Sequence, residues 1–239
     1  KDLRFLIWLK MTFKKKLLIL IILLTATAFM LSEIYNNKTK YFEIKKISLN
    51  KKLVNSSKEN IENISKKYLK GKSFFNFKID YLILELNKVE WVRNVDIRRV
   101  YPNEVSITIE EHQPVAIWNN KRYINNFGEL FEVKIIKKNL PLLQSDEDRI
   151  NEIFDYFYQF NENLRLNNLE YKINKIEENE IRSVTISLTS GLYIKLGSKN
   201  VKNKINLFFK VYKSLKTRDL KKIRYIDMRY SNGFSLGFE

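Results

Sequence analysis

Three short runs of the sequence carry residue types that could perform acid–base, metal or nucleophilic chemistry. Glu110-Glu111-His112 could form an acid–base pair or a metal site, Glu177-Glu178-Asn179-Glu180 gathers three carboxylates, and Ser190-Gly191 offers a hydroxyl. Neighbouring residues of a strand point to opposite faces of a sheet, so the first run does not converge on one site. We therefore predict a solvated strand end for the first run, a charged turn for the second and a hairpin turn for the third.

The composition excludes most types of catalytic and metal-binding site. The chain has no cysteine and one histidine, which excludes disulfides, thiol catalysis, zinc–cysteine sites and iron–sulfur clusters. Its six glycines form no glycine-rich run, so no phosphate-binding loop is present. We predict no enzymatic activity, no catalytic residues, no metal and no cofactor.

The chain is strongly basic, with 44 Lys and Arg against 27 Asp and Glu and a net charge of +17. Such an excess suits nucleic acid or an anionic membrane surface. Lysine is spread over nearly every segment, however, and arginine is scarce outside Arg93–Arg99. Arg98 and Arg99 beside Tyr101 could stack on bases, but the pattern favours the polar side of a hairpin. We predict no nucleic-acid partner.

The N-terminus carries the sharpest change in composition. Lys14–Lys16 precede an uncharged apolar run, Leu17–Leu31, which Ile34 and Tyr35 extend. A membrane-spanning helix needs about 20 apolar residues, so we predict an anchor that contacts the lipid bilayer through residues 17–35. Basic residues before the anchor keep residues 1–16 in the cytoplasm and place the remainder outside.

Two alternatives to the anchor stay open. Small residues at Thr25–Ala28 could precede cleavage of a signal peptide, although the apolar run continues through Phe29–Leu31. A buried core helix would normally show a polar stripe, and this segment has none. Translation is expected to start at Met11 or upstream of Lys1.

The segment after the anchor reads as a compact α+β module at residues 36–111, beginning with a polar linker over 36–40. The pattern predicts a strand over 41–49, a helix from a Ser56–Glu59 capping box to Gly71, and a second helix capped by Asp80. Strands follow over 91–100 and 105–109 and are joined by a turn at 101–104. These three strands would form one sheet with two helices on one face.

Residues 112–239 are predicted to form a β-rich domain with two helices packed on its sheet. Short strands are expected between 114 and 133, and then over 171–176, 181–188, 192–196, 223–230 and 234–238. Amphipathic helices are expected from Asp146 and over 201–215. The fold class of the whole chain is α+β.

Several segments together resemble the FtsQ/DivIB family of bacterial cell-division proteins, whose first outer domain is a POTRA domain. The segments are Trp91–Val95, Tyr101–Val105, Glu110–Trp118, Asn126–Phe131 and Tyr225–Gly233. The resemblance spans the chain from anchor to C-terminus, and the closing block is more similar to the Gram-negative FtsQ branch. Asn50 stands where the family usually has glycine, and Phe238 stands where it often has tryptophan.

The resemblance implies a non-enzymatic scaffold of the division machinery, or divisome, in the inner membrane at the septum. It implies binding to FtsB and FtsL, contacts with other division proteins through the POTRA domain, and recruitment and regulation of septal peptidoglycan synthesis. FtsB would add a strand to the last strand of the β domain. The implied site is Arg229, Tyr230, Ser231, Asn232, Gly233 and Phe238. Within it, Arg229 pairs with a partner acid, Tyr230 and Phe238 give apolar contact, and Asn232 and Gly233 shape the turn.

Two other functions are weighed against this one. A POTRA-bearing protein of outer-membrane or polypeptide transport would show repeated POTRA units or a C-terminal barrel, and the sequence shows one unit and no barrel pattern. A membrane-anchored cell-wall hydrolase would need a convergent set of acid, nucleophile or metal ligands, and the sequence offers none.

Overall fold

The computed structural model describes residues 13–36, 42–49, 52–134, 139–214, 222–230 and 233–238. They fall into two compact units, Lys1–Glu111 and His112–Glu239. The first unit begins with helix α1, Phe13–Asn36, none of whose residues is buried. Among the described helices, α1 alone is long and apolar enough to cross a membrane, with a mean hydropathy of 2.4. Its 24 residues rise about 36 Å, enough for a hydrocarbon layer of about 30 Å.

The rest of the first unit is a three-stranded sheet with two helices. Its elements in chain order are β1 (Lys46–Leu49), α2 (Lys58–Leu69), α3 (Ile79–Leu86), β2 (Val92–Val100) and β3 (Glu104–Glu111). Strand β3 lies in the middle, parallel to β1 and antiparallel to β2. The order of the elements along the chain is the one that the sequence predicts. Of the predicted linker, only Asn36 lies within the described residues, and Asn50 lies outside them.

One apolar core joins the two helices to this sheet. Val105, Ile107 and Ile109 alternate along β3 and therefore point to the same face. The other buried members of the core come from α2, α3 and β2 and the loop between the helices: Ile61, Leu69, Phe77, Leu82, Leu86, Val92, Val95 and Ile97.

Both predicted helix starts in this unit are wrong by one or two residues. Ser57, not Ser56, caps α2, and its hydroxyl accepts the Asn60 N–H. The backbone N–H of Ser56 instead donates to the Glu111 carboxylate, which holds the loop in front of the helix. Asp80 lies in the first turn of α3 rather than at its cap. There it can still interact favourably with the positive end of the helix dipole.

The second unit is built on one nine-stranded sheet. Its elements are β4 (Pro114–Trp118), β5 (Arg122–Asn125), β6 (Leu130–Phe131), β7 (Leu142–Gln144), a 3₁₀ turn (Glu147–Arg149), α4 (Ile150–Leu166), β8 (Ile173–Glu178), β9 (Val184–Leu188), β10 (Tyr193–Gly197), α5 (Val201–Ser214), β11 (Ile223–Asp227) and β12 (Ser235–Phe238). The strand order is β12-β11-β10-β9-β8-β7-β4-β5-β6. Helices α4 and α5 pack on this sheet as predicted.

The core of this unit is large and rich in aromatic residues. Phe160 of α4 packs against Phe208 and Phe209 of α5, with ring centroids 5.5 Å and 4.9 Å apart. Trp118, Leu143, Ile176, Ile186 and Ile194 are fully buried under the helices. The α+β fold class is therefore confirmed.

Candidate partner-binding edge

Strand β12 forms one edge of the nine-stranded sheet. It pairs antiparallel with β11, with Ile226 opposite Leu236 and Asp227 opposite Ser235. Strand β11 in turn lies parallel to β10. No other strand in the described part of the chain pairs with β12. An edge strand carries N–H and C=O groups that no strand of its own sheet uses, and these groups can pair with another chain.

A tyrosine ring and a glycine set the shape of this edge. Tyr225 of β11 lies opposite Gly237 of β12. A Cβ atom at position 237 would lie 2.1 Å from Cε1 of Tyr225, so the ring occupies the space that any larger residue would need. The Lys195 ammonium lies 4.4 Å from the centroid of the same ring. The Tyr225 ring therefore lies between the Lys195 ammonium of β10 and the backbone of β12 at Gly237.

Arg229 continues the chain beyond β11 and is fixed by Asp227. Its Nε and Nη2 donate to both carboxylate oxygens, at 2.7–3.0 Å, and its backbone N–H donates to Oδ1. The hydrogen bonds from Arg229 lower the pKa of the buried Asp227 carboxyl below its usual value. Gly197 has a φ of +77°, a conformation that favours glycine, and a Cβ there would lie 3.2 Å from Arg229 Cγ and crowd that side chain.

Lys204 of α5 connects that helix to the end of β10 and to Arg229. Its ammonium donates to the carbonyl oxygens of Leu196 and Arg229 at 2.8 Å and 3.3 Å. Burial lowers the pKa of Lys204 below its usual value. The segment that leads to β12 therefore starts from a fixed backbone position.

Exposed aromatic side chains lie just after β11, just before β12 and at the end of β12. Tyr230 is 62% exposed, Phe238 is 55% exposed, and Phe234 is also exposed. Gly233 is exposed with open space around it. Ser231 and Asn232 lie outside the described residues. Gly233 precedes the edge strand and Phe238 ends it, opposite Ile223 at the start of β11. Arg229 and Tyr230 follow the other end of β11, where Arg229 lies beside Gly197 of β10.

Sequence reasoning missed Tyr225, Asp227, Gly237 and Lys204, which shape that edge. One signal was available: Asp227 and Arg229 are two residues apart, a spacing that places side chains on the same side of an extended chain. The close approach of Tyr225 to Gly237 depends on strand register, which the sequence does not specify.

The predicted charged turn at Glu177–Glu180 is wrong at its centre. Glu178 belongs to β8, and its side chain is only 1% exposed. It accepts hydrogen bonds from Arg149, Ser145 and Arg182. Burial alone would raise the pKa of Glu178, but the bonds from Arg149 and Ser145 lower it below its usual value. This cluster connects β8 to the start of α4.

The Glu110–His112 run is not simply a solvated strand end. The Glu111 carboxylate accepts three backbone N–H groups, from Val54, Asn55 and Ser56. Burial would raise the pKa of Glu111, but these bonds lower it below its usual value. In the second unit, His112 stacks on Phe131 with centroids 4.1 Å apart. Across the described residues, no group of three or more His, Asp and Glu side chains is arranged to hold a metal ion.

Two family models match the chain over both units. The model described as "POTRA domain, FtsQ-type" matches residues 42–112, and the model described as "Cell division protein FtsQ/DivIB, C-terminal" matches residues 116–229. The chain belongs to the FtsQ/DivIB family. Its first unit after α1 is accordingly a POTRA domain, and the family resemblance of the sequence is confirmed.

Curated relatives named "Cell division protein FtsQ" agree with this assignment. The chain is 27% identical to the protein of Coxiella burnetii over 227 residues, which cover 93% of this chain and 91% of the relative. It is 29% identical to that of Actinobacillus pleuropneumoniae, over 70% and 73% of the two chains. It is 31% identical to that of Haemophilus influenzae, over 64% and 61%.

Proposed function

We propose that this protein is a non-enzymatic scaffold of the divisome that binds FtsB and FtsL and links early to late division proteins. It recruits and regulates septal peptidoglycan synthesis, and it contacts other division proteins through its POTRA domain. Membership of a cell-division family supports this role. The observation that carries it is the edge strand β12, which ends at the exposed Phe238, together with the exposed Tyr230 just after β11.

Strand addition is the recognition mode that this edge favours. An extended FtsB segment would pair its backbone with β12, which supplies affinity, and side chains beside the strand would supply selectivity. Tyr230 and Phe238 are large apolar side chains of the type that dominates interface energies. Both remain exposed, so no rearrangement of the core is needed for contact.

Arg229 has a double role in this proposal. Two of its five N–H positions, at Nε and Nη2, are committed to Asp227. Its Nη1 donates to no residue in the described part of the chain. A partner carboxylate would bind there while Asp227 keeps the guanidinium plane fixed. The implied pairing with a partner acid therefore stays part of the proposal.

The proposed location is the inner membrane at the division septum. Helix α1 would be an uncleaved single-pass anchor, and the basic residues in front of it would keep the N-terminus in the cytoplasm. Both folded units would then lie in the periplasm. Their apolar cores include no cysteine, so folding there requires no disulfide formation.

Titration with the periplasmic segment of FtsB from the same organism tests the proposal. The full chain in detergent is compared with a Tyr230→Ala/Phe238→Ala variant. Loss of two central anchors should cost at least about 2 kcal/mol, or roughly 30-fold in Kd. The matched control is Tyr158→Ala/Ile181→Ala, which removes two exposed apolar side chains of the same unit from α4 and from the β8–β9 turn.

Binding that the edge variant loses and the control keeps supports both the scaffold and its site. Equal affinity in the edge variant and the parent protein would place the interface elsewhere. Absence of FtsB binding by a folded parent protein would overturn the proposal.

A further inference from the structure

A cluster of exposed aromatic side chains lies at one end of the POTRA domain. Phe75 is 56% exposed and Tyr101 is 74% exposed, and both contact the buried ring of Phe74. Phe42, half-buried, packs edge-on against Phe75 with ring centroids 5.1 Å apart. We call Phe42, Phe75 and Tyr101 the aromatic patch. Soluble domains rarely gather exposed aromatic rings without a partner surface.

Backbone hydrogen bonds fix the patch at the end where the chain enters the domain. The Phe74 N–H donates to the Phe42 carbonyl, and the Lys45 N–H donates to the Asn103 carbonyl in the β2–β3 turn. The patch is therefore built from the first residues after the anchor, the loop that follows α2 and the β2–β3 turn. Its position does not depend on a single mobile side chain.

Lysines surround the aromatic patch. Lys45, Lys70 and Lys72 are exposed, and none of them lies within salt-bridge distance of a carboxylate in the described residues. Lys46 nearby is paired with Glu104 at 3.0 Å. One exposed acid, Glu43, lies in the same region. The surroundings of the patch are thus net positive.

The length of chain between α1 and the patch limits where the patch can lie. From Asn36, the last residue of α1, to Phe42 there are six residue steps, which span at most about 20 Å when fully extended. If α1 crosses the membrane, Asn36 lies at or near the lipid–water interface. Phe42 therefore lies within about 20 Å of that interface, a distance that permits the patch to contact lipid headgroups.

We infer that the aromatic patch and its lysines dock the POTRA domain on the periplasmic surface of the inner membrane, with anionic phospholipid as the occupant. Aromatic rings prefer the interfacial region of a bilayer, and lysines are attracted to anionic headgroups. The inference rests on the proposed membrane anchoring of α1. Its consequence is a fixed orientation of the POTRA domain at the membrane, rather than a domain that swings freely on its linker.

Site-specific fluorescence quenching tests this docking in the full chain. The protein has no cysteine, so Asn76→Cys, beside Phe75, can carry a single fluorophore. Val54→Cys is the matched reporter: Val54 donates its N–H to Glu111, at the opposite end of β3 from the patch. The eight residues of β3 separate the two ends by about 25 Å. Nanodiscs contain phosphatidylglycerol and a lipid with a nitroxide on its headgroup.

We expect strong quenching at position 76 and weak quenching at position 54. Because each lysine near an anionic surface should raise the docked-to-free ratio about fivefold, Lys45→Gln/Lys72→Gln should reduce the quenching at position 76. The same change at the far end, Lys52→Gln/Lys58→Gln, should not. A Phe75→Ser/Tyr101→Ser variant should also lose the quenching. Equal quenching at both reporters, or no effect of the Lys45/Lys72 pair, would overturn the inference.

Failure of this inference can be told apart from failure of the proposed function. The same nanodisc samples are titrated with the FtsB segment. Retained FtsB binding with no quenching at position 76 would reject docking and leave the scaffold standing. Protein that does not incorporate into nanodiscs would reject the membrane anchor itself.

Discussion

At Gly237, β12 has no room for a side chain while the Tyr225 ring keeps its position. A Gly237→Val side chain would overlap the Tyr225 ring, whose nearest atom lies 2.1 Å from the Cβ position. Overpacking of this kind costs about 1–3 kcal/mol. We expect β12 to detach from β11 in part and amide hydrogen exchange at residues 235–238 to accelerate.

Two comparisons separate this effect from a general effect of losing glycine. Gly233→Ala, in open space on the same segment, should leave exchange at β12 unchanged. Adding Tyr225→Ala to the Gly237→Val chain should restore slow exchange, because it removes the overlapping ring. Normal exchange in the Gly237→Val single variant would show that Tyr225 moves aside at little cost.

Glu178 should make the stability of the second unit depend on pH. Its folded-state pKa is lowered, so its stabilising effect is complete above the unfolded value of about 4.3 and is lost as pH falls through the lowered value. Glu178→Gln should lower the free energy of unfolding by about 2–3 kcal/mol at pH 7. This loss is at the low end of, or below, what breaking a fully buried ion pair costs, because Arg149 still pairs with Glu152. Thermal unfolding at pH 7 and below pH 4 measures both effects.

The difference in stability between parent and Glu178→Gln should shrink as the pH falls below about 4. The control is Glu162→Gln, which removes an exposed ion pair with Arg165 on α4 and should change unfolding little. A Glu178→Gln penalty that stays constant down to acid pH would contradict the assignment of an ionised Glu178.

The resemblance to the family, rather than residue types alone, pointed to the residues around β12. Tyr230 and Gly233 were identified from the segment Tyr225–Gly233, and Phe238 from the family's closing aromatic position, which ends β12. Their role in binding a partner stays a prediction. Glu178 was misjudged because three acids in four residues are typical of a solvated turn. Its actual environment depends on Arg149 and Arg182, which come from other segments.

At the scale of elements, we expect α1 to set the orientation of the chain across the membrane. Reversal of its basic flank by Lys14→Glu/Lys15→Glu/Lys16→Glu should weaken retention of the N-terminus in the cytoplasm. An alkaline phosphatase fused after Glu239 is active only in the periplasm, so its activity should fall. The same three substitutions at Lys66, Lys67 and Lys70, which flank no apolar run, should leave it unchanged. Unaltered activity in the first variant would contradict the proposed orientation.

Periodicity placed the longer strands and helices but not all of their ends. The strands expected over 41–49 and 181–188 begin only at Lys46 and Val184, and the strand expected over 223–230 ends at Asp227. Helix α4 begins at Ile150 rather than at Asp146. Alternation at Val105, Ile107 and Ile109 predicted β3, and helical spacing predicted α4 and α5. Strand β7 was missed because Leu142–Gln144 has only three residues, too few to show a period. It nevertheless lies between β4 and β8 and is parallel to both.

At the scale of the whole molecule, the sequence predicted the domain types but not the order of the large sheet. Neighbours such as β7 and β4 are joined by long-range pairing, which local patterns do not encode. The position of β12 at an edge is a result of that order. The proposed addition of a partner strand at this edge therefore depends on the order of the strands rather than on any one motif.

Amide hydrogen exchange of the full chain, with and without the FtsB segment, tests whether FtsB adds a strand to β12. Outward N–H groups of β12 would become hydrogen-bonded to an added strand, so exchange at residues 235–238 should slow markedly when FtsB binds. Exchange at the opposite edge, β6, should stay unchanged and serves as the internal reference. Protection that appears at other segments while residues 235–238 exchange as before would contradict strand addition at β12.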